Sequence, residues 1–280
     1  MKRIKDGFKR LWSLIRKPEM KVLPGHLAFF LILSVMALLV IIGLVASSFN
    51  ISMTTLLSFL EDSIPADVGN LLLPLVQGKN GDVNVLIFTI VGLIFASNGP
   101  HAIVLTSNTL YNFKESSGLS DRVKAVIMTI VLVGIFLFVA LFLGYGNHIV
   151  HWLLEVKALA NIKNEIYYTF LILKWPVALF LLFINIKILY TLAPDKRIKS
   201  KTVNRGAIFT TLGWFIATYI YSFYVGTIVN YNIFYGALSS IIVLMMWIYI
   251  ISYIFVIGIA INADFYNKTI NLANTNNGTE

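Results

Sequence analysis

The chain has 280 residues, of which 58% are hydrophobic and 12% are charged, and its formal net charge is +9. Soluble domains usually carry about 25% charged residues, so this composition excludes an ordinary soluble protein and predicts an integral membrane protein. There is no cysteine, which excludes disulfide bonds, iron–sulfur clusters and thiolate metal sites.

The N-terminal segment, residues 1–23, combines basic residues with apolar residues at helical spacing. The apolar positions are Ile4, Phe8, Leu11, Trp12 and Ile15. This pattern predicts an amphipathic helix lying on the anionic inner leaflet, although the same charges also serve to orient the protein. The apolar run that follows is long for the core of a signal peptide and predicts a retained first span.

The apolar stretches predict an all-α, polytopic membrane protein with about six transmembrane helices in a domain that covers residues 24–265. Asp, Glu, Lys and Arg are all absent from 22–60, 83–113, 125–154 and 206–263. The last stretch holds two spans, because about 20 residues cross the hydrocarbon. The predicted spans are 27–49, 84–111, 125–148, 168–190, 206–229 and 237–262.

Two further segments complete the predicted organisation. Residues 51–77 are rich in leucine and are broken by Pro65 and Pro74, which predicts a short interfacial helix in the first outer loop. Residues 266–280 are polar and predict a disordered cytoplasmic tail.

Loops that are rich in Lys and Arg alternate along the chain with loops that contain few of them. Eight Lys and Arg lie in 1–23, three in 112–124, five in 191–205 and one in the tail, against three in the intervening loops. The positive-inside rule therefore places both termini in the cytoplasm, which agrees with an even number of spans. Because topology accounts for the net charge, we expect no nucleic-acid partner.

The second span contains the stretch SNGPH at residues 97–101, which places a helix breaker and a histidine inside an apolar run. One interpretation is a proline kink that neighbouring helices repair. The other is a broken helix whose open backbone groups form a binding site, as in many transporters. The second interpretation predicts that Asn98 and His101 face a cavity.

Other polar residues lie within or near the spans, and helix packing explains part of this set. Lys187 is close enough to a span end for its side chain to reach the inner surface. No carboxylate is found between the predicted span ends, so the inventory favours an anionic substrate. The predicted substrate-binding residues are Asn98, Gly99, Pro100, His101, Asn108, Asn185, Lys187, Arg197, Arg205, Tyr235 and Asn262.

The sequence contains no nucleophile elbow, zinc-protease helix, phosphate loop or dinucleotide fingerprint. His148 and His151 are three residues apart, and a metal site there would need a third ligand such as Glu155. An interfacial histidine pair is the simpler interpretation. We therefore expect no enzyme activity, no metal and no cofactor.

Several motifs together resemble the YihY/BrkB family of bacterial inner-membrane proteins. They are HLAFFLILSVMAL at 26–38, YTLAP at 190–194, RGA at 205–207, YGALSS at 235–240, MMWIYI at 245–250 and GIAINA at 258–263. The resemblance implies a six-helix protein of the bacterial cytoplasmic membrane with both termini in the cytoplasm. Family members have carried a ribonuclease label and have been linked to serum resistance or cation/proton antiport. Ile261 stands where the family commonly has Glu, which weakens the case for proton-coupled transport.

Three functions follow as expectations. The first is a transporter that moves a lipid or other anionic amphiphile between the leaflets, with Lys187, Arg197 and Arg205 attracting the headgroup. The second is a monovalent cation/proton antiporter with His101 as the titrating group. The third is a non-transporting scaffold for envelope assembly. Membrane lipids are the expected partners, and the sequence leaves a homo-oligomer open.

Overall fold

The computed structural model describes residues 2–48, 90–113, 118–134, 163–227 and 239–277. Within these ranges the regular structure is helical, which confirms the all-α prediction for the described part of the chain. We number the helices α1 Lys2–Ile15, α2 Glu19–Ser48, α3 Ile90–Tyr111, α4 118–134, α5 Lys163–Leu192, α6 Asn204–Thr227 and α7 Ser239–Asn277.

Three described helices are long and apolar enough to cross a membrane: Ile90–Tyr111, Asn204–Val225 and Ile241–Thr269. Lys9–Ile15 and Glu19–Val35 are bent by 67° at a short break and would make a fourth span if taken as one. The apolar part of α5 is the shorter segment Pro176–Leu192. The described helices thus give three or four spans, where the sequence predicts six.

Parts of the prediction lie outside the described residues. These are the outer-loop helix within 51–77, the end of the third predicted span after residue 134, and the histidine pair at positions 148 and 151.

The N-terminal segment forms two helices instead of one amphipathic unit of 23 residues, because α2 already begins at Glu19. Part of the apolar side of α1 packs against the bundle, and the rest is exposed. Leu14 is buried, and Leu11 packs against the core. Trp12 is 51% exposed, and the guanidinium of Arg16 lies 5.0 Å from its ring centroid. The helix therefore presents an aromatic and cationic face away from the bundle, as interfacial helices do.

Helix α7 has 39 residues. At about 1.5 Å per residue it is about 58 Å long, which exceeds the hydrocarbon thickness of about 30 Å. Residues 266–277, for which the sequence predicts disorder, continue this helix. Asp264 forms an ion pair with Arg10 of α1 and lies 3.7 Å from Lys268, and Tyr266 packs edge-on against Tyr111. These contacts hold the end of α7 against the bundle, whereas a tail surrounded by solvent would have no such partners.

Glycines bring α6 and α7 into close contact. A Cβ on Gly206 would overlap the carbonyl oxygen of Gly258 and the amide of Asn262. The N–H of Gly206 donates to Oδ1 of Asn262 at 2.8 Å, so the two helices share a hydrogen bond at this approach. Small residues serve this purpose in membrane bundles, where close backbone packing replaces the hydrophobic driving force.

The core of the bundle draws side chains from α2 to α7. Its largest fully buried apolar members are Leu27, Val104, Met128, Ile186, Tyr190, Val203, Val256 and Ile259. Large apolar side chains also cover the outside of α6, where the most exposed is Tyr219 at 73%. An apolar exterior around a packed interior is what a helical bundle surrounded by lipid requires.

Candidate functional site

The stretch SNGPH interrupts α3 at Ser97, and the regular helix then runs from Asn98 to Tyr111. Pro100 lies in the first turn of this segment. A proline is tolerated there because the first N–H groups of a helix have no partner within it. The segment therefore begins just before the proline, and the two pieces of α3 remain one apolar helix of 22 residues.

The main-chain groups at this interruption have a partner in α2. The hydroxyl of Ser34 donates to the carbonyl oxygen of Ala96, which is the group that an N–H at position 100 would have bonded. The same hydroxyl accepts the N–H of Gly99 at 3.3 Å. A Cβ on Gly99 would lie 3.0 Å from Ser34 Cβ and 3.0 Å from Leu31 Cδ2, so glycine permits this approach. A neighbouring helix thus repairs the break, as the first of the two interpretations proposes.

Arg122 of α4 reaches the same interruption from the other side. Its Nη1 donates to Oδ1 of Asn98 at 2.8 Å, and its Nη2 donates to the carbonyl oxygen of Ile94 at 3.0 Å. A guanidinium has five N–H donors. Its hydrogen bonds to described residues use two of these five donors.

Charged and titratable side chains gather around His101, whose ring is half-buried. Its electrostatic neighbours are Arg122, Asp121 and His26. Asp121 is buried, and Nδ1 of His26 is buried without a hydrogen-bond partner in the described structure. We call His26, Asn98, His101, Asp121 and Arg122 the polar cluster. It joins α2, α3 and α4.

Asn98 and His101 place the polar cluster partway along α3. Asn98 begins a segment of 14 residues that ends at Tyr111. At about 1.5 Å per residue, Asn98 is about 20 Å from that end. Ionisable groups in a helix that is long and apolar enough to span a membrane, such as His101 here, are costly and mark functional sites more often than other positions.

A second polar group lies at the other end of α3. Asn108 donates from Nδ2 to the carboxylate of Asp195 at 2.6 Å and accepts the N–H of the same residue at 3.0 Å. Nζ of Lys124 donates to the Asp195 carboxylate at 2.5 Å and to the carbonyl oxygens of Ala193 and Pro194 at 3.3 Å each. We call Asn108, Lys124 and Asp195 the loop clamp, because they fasten the loop after α5 to α3 and α4.

The remaining predicted site residues are dispersed. Asn185 and Lys187 lie half-buried on α5, with Nζ of Lys187 5.9 Å from the Phe183 ring centroid. Arg197 is exposed in the loop after α5, and the Arg205 guanidinium lies 4.1 Å from the Phe265 ring centroid.

Asn262 and Tyr235 are the last two predicted site residues. Asn262 is buried at the contact between α6 and α7, where its Oδ1 accepts from Gly206. Its Nδ2 has no hydrogen-bond partner among the described residues. Tyr235 lies outside the described residues. Of the predicted set, the structure thus places Asn98 and His101 in the polar cluster, with Gly99 and Pro100 between them in the chain, and Asn108 in the loop clamp.

Four residues of these sites are not among the predicted ones, namely Ser34, Asp121, Arg122 and Lys124. The last three lie in a predicted loop that ends at residue 124, whereas α4 begins at residue 118. Leu119, Val123 and Ile127 at a spacing of four residues indicate that the helix starts early, and this pattern could have revealed the extension. Ser34 had no comparable pattern, because its partners lie more than 60 residues away.

Ser34 supports the interruption of α3, and its removal is expected to be costly. Ser34→Ala leaves the carbonyl oxygen of Ala96 and the N–H of Gly99 without their present partner. An unsatisfied buried polar group costs about 1–3 kcal/mol, so we expect the free energy of unfolding to fall by about that amount.

The measurement is unfolding of the purified protein in detergent micelles, followed by circular dichroism. Ser13→Ala is the matched control, since the hydroxyl of Ser13 is exposed and bonds to Arg10 within its own helix. Equal stability of the two variants would show that Ser34 does not hold the interruption together.

The helical bundle, its apolar exterior and its buried polar groups define a helical integral membrane protein. The family model described as "Virulence factor BrkB" matches residues 11–278. The chain therefore belongs to the BrkB family.

Two relatives support this assignment. The "Putative ribonuclease-like protein YfkH" of Bacillus subtilis (strain 168) is 30% identical over 266 residues, covering 93% of this chain and 95% of the relative. The "UPF0761 membrane protein IL2447" of Idiomarina loihiensis is 30% identical over 84 residues, or 30% of each chain. No solved structure matches the chain.

Proposed function

We propose that this protein is a transporter that moves a lipid or other anionic amphiphile between the leaflets of the bacterial cytoplasmic membrane. In this proposal six spans cross the membrane and both termini lie in the cytoplasm. The proposal includes no catalytic step. The alternation of basic loops supports the orientation, because positively charged loops stay on the cytoplasmic side.

One observation carries the proposal, namely the guanidinium of Arg122 at the interruption of α3. Its two described hydrogen bonds go to Asn98 and to the main chain, and both acceptors are neutral. A phosphate or carboxylate would accept two parallel hydrogen bonds from the planar fork and would also neutralise the charge. An anionic headgroup is therefore the ligand that this group fits best.

The surroundings of α4 suit the rest of an amphiphile. An open cleft of about 550 Å³ lies along the helix, with apolar walls that include Val123, Ile127 and Leu192. Lys124 lies on the edge of this cleft. Apolar walls with a cationic edge match a molecule that has an acyl chain and an anionic head.

Purified protein in vesicles tests the proposal. A phosphatidylglycerol with a fluorescent acyl label is placed in both leaflets, and a membrane-impermeant reductant quenches the outer one. We expect the protein to make the inner pool accessible, at a higher rate than for a labelled zwitterionic phosphatidylcholine. Protein-free vesicles are the control. If the inner pool stays protected for every headgroup, the proposed function is wrong.

A cation/proton antiporter is the second candidate, and the charges around His101 favour it. The buried Asp121 carboxylate, in the first turn of α4, interacts electrostatically with His101 and supplies an acidic group near α3. The same vesicles, loaded with a pH-sensitive dye, distinguish the two candidates. Proton flux driven by a Na⁺ or K⁺ gradient and lost in His101→Ala would support the antiporter. The absence of both lipid movement and ion flux would favour a scaffold.

A further inference from the structure

We infer that one end of the bundle binds the anionic phospholipid headgroups of the membrane leaflet that it faces. This end consists of α1 and the start of α2, the loop between α5 and α6, and residues 264–268 of α7. We call it the basic end. Such binding goes beyond the proposed function, because these lipids are held at the surface of the protein and are not moved between the leaflets.

Two neighbouring residues of α7 bring the parts of the basic end together. Asp264 forms an ion pair with Arg10 of α1, and the ring centroid of Phe265 lies 4.1 Å from the guanidinium of Arg205. Arg205 is the second residue of α6, so the loop between α5 and α6 ends beside this contact. The N-terminal helix and the loop therefore lie at the same end of the bundle, although they are far apart in sequence.

The basic end has an excess of exposed positive charge. Within residues 9–21 and 196–205, the exposed acidic side chain is Glu19. The carboxylates of Asp195 and Asp264 are each paired, with Lys124 and Arg10. The exposed lysines, and two arginines of the loop, are Lys9, Lys17, Lys21, Lys196, Lys199, Lys201, Arg197 and Arg205. An anionic partner would balance this charge.

The turn between α1 and α2 lays α1 across the end of the bundle. Pro18 has no N–H to donate, so α1 cannot continue through it, and α2 begins at Glu19. The segments Lys9–Ile15 and Glu19–Val35 are bent by 67° relative to each other. Spans are tilted by about 20° on average. With α2 as a span, α1 therefore runs closer to the membrane plane than to the membrane normal.

Exposed apolar side chains lie among these cations, and they favour a lipid leaflet over an acidic protein or a nucleic acid. Trp12 is 51% exposed and Val22 is 67% exposed. Tryptophan prefers the level of the headgroups, and apolar side chains of an interfacial helix leave water when they enter the leaflet. Leu14 is buried, and Leu11 packs against the core. The exposed face of α1 is thus held in place before a lipid binds, which lowers the entropy cost of binding.

A fluorescent reporter on α1 tests this inference, because the native chain has no cysteine. In Ser13→Cys, a thiol-reactive fluorophore is attached at an exposed position beside Trp12. The full chain is placed in phosphatidylcholine nanodiscs that contain increasing amounts of nitroxide-labelled phosphatidylglycerol or nitroxide-labelled phosphatidylcholine. We expect the labelled phosphatidylglycerol to reach half of its full quenching at about five-fold lower density, since a single cation near an anionic leaflet contributes about that factor. Concentrated salt should remove the preference by screening.

Matched variants separate charge from structure. Lys9→Gln/Lys17→Gln removes two exposed charges and leaves the described ion pairs in place, so the preference for phosphatidylglycerol should fall. Lys9→Arg/Lys17→Arg keeps the charges and should keep the preference. In Gly134→Cys the same fluorophore lies on α4, ten residues or about 15 Å beyond Lys124, and both labelled lipids should quench it equally. Equal quenching at position 13, with the helical content of the protein intact, would overturn the inference.

Two further probes represent the other anionic partners. An RNA oligonucleotide and polyglutamate are each added to the protein in phosphatidylcholine nanodiscs. Binding of either one, without a preference for phosphatidylglycerol at position 13, would overturn the inference in favour of that partner. A preference for phosphatidylglycerol without lipid movement in the vesicle assay would support lipid binding at the basic end and refute the proposed function. Lipid movement together with equal quenching would refute lipid binding at the basic end alone.

Discussion

Arg122→Gln is expected to lower the rate of lipid movement about 100-fold or more. The substitution removes the charge that the proposed headgroup would neutralise and the planar fork that would bind it. Charge-assisted hydrogen bonds contribute about 1.5–3 kcal/mol each, so the loss of two corresponds to about two orders of magnitude or more. Arg122→Lys keeps the charge without the fork, and we expect it to retain about a tenth of the native rate.

The measurement is the vesicle assay with labelled phosphatidylglycerol, corrected for the amount of folded protein. Arg16→Gln is the control, because Arg16 lies over the exposed Trp12 ring, far along the chain from α4. A native rate in folded Arg122→Gln would mean that the headgroup does not bind at the interruption of α3. A loss confined to ion flux would instead favour the antiporter.

Gly258→Ala is expected to cause a large loss of stability in the bundle. The added Cβ would overlap the hydroxyl groups of Thr210 and Tyr190. These hydroxyls hydrogen-bond to each other at 2.6 Å, and Tyr190 also donates to the carbonyl oxygen of Phe255 at 2.8 Å. Overpacking typically costs about 1–3 kcal/mol and a broken buried hydrogen bond adds about 1–3, so we expect a loss of about 2–6 kcal/mol.

Gly134→Ala is the matched control, because a Cβ at position 134 would meet nothing within 4 Å among the described residues. Alanine favours a helix over glycine by up to about 1 kcal/mol, so this variant should be as stable as the native protein or slightly more stable. Thermal unfolding in detergent gives both values. Similar stability of the two variants would show that α6 and α7 have room to separate at no cost.

The apolar runs of the sequence predicted the helices well, because in lipid an apolar run must form a helix. Helix ends were harder to predict. The predicted first span began at residue 27 and the last ended at residue 262, whereas α2 starts at Glu19 and α7 reaches Asn277. These extensions depend on tertiary partners, such as the ion pair between Arg10 and Asp264. A window of local sequence contains no information about a partner 254 residues away.

The candidate site could be predicted only in part, because it also depends on partners that are distant in sequence. The unusual composition of SNGPH identified the interruption of α3, but its consequence depended on a hydroxyl in α2 and a guanidinium in α4. The absence of carboxylates within the spans was also a local inference. Asp121 lies outside the predicted spans, in the first turn of α4, where the packing of the bundle buries it. Residue types indicated where the helix was unusual, while the packing determined what lies beside it.

The hydroxyl of Ser34 has a consequence for how this protein can move. It bonds to two main-chain groups of α3 at once, so a slide of α2 by a single residue, about 1.5 Å, would break both bonds inside the bundle. A Cβ on Gly99 would lie 3.0 Å from the same side chain, so the two helices are closely packed at this point. A motion that keeps both bonds therefore carries α2 and α3 together.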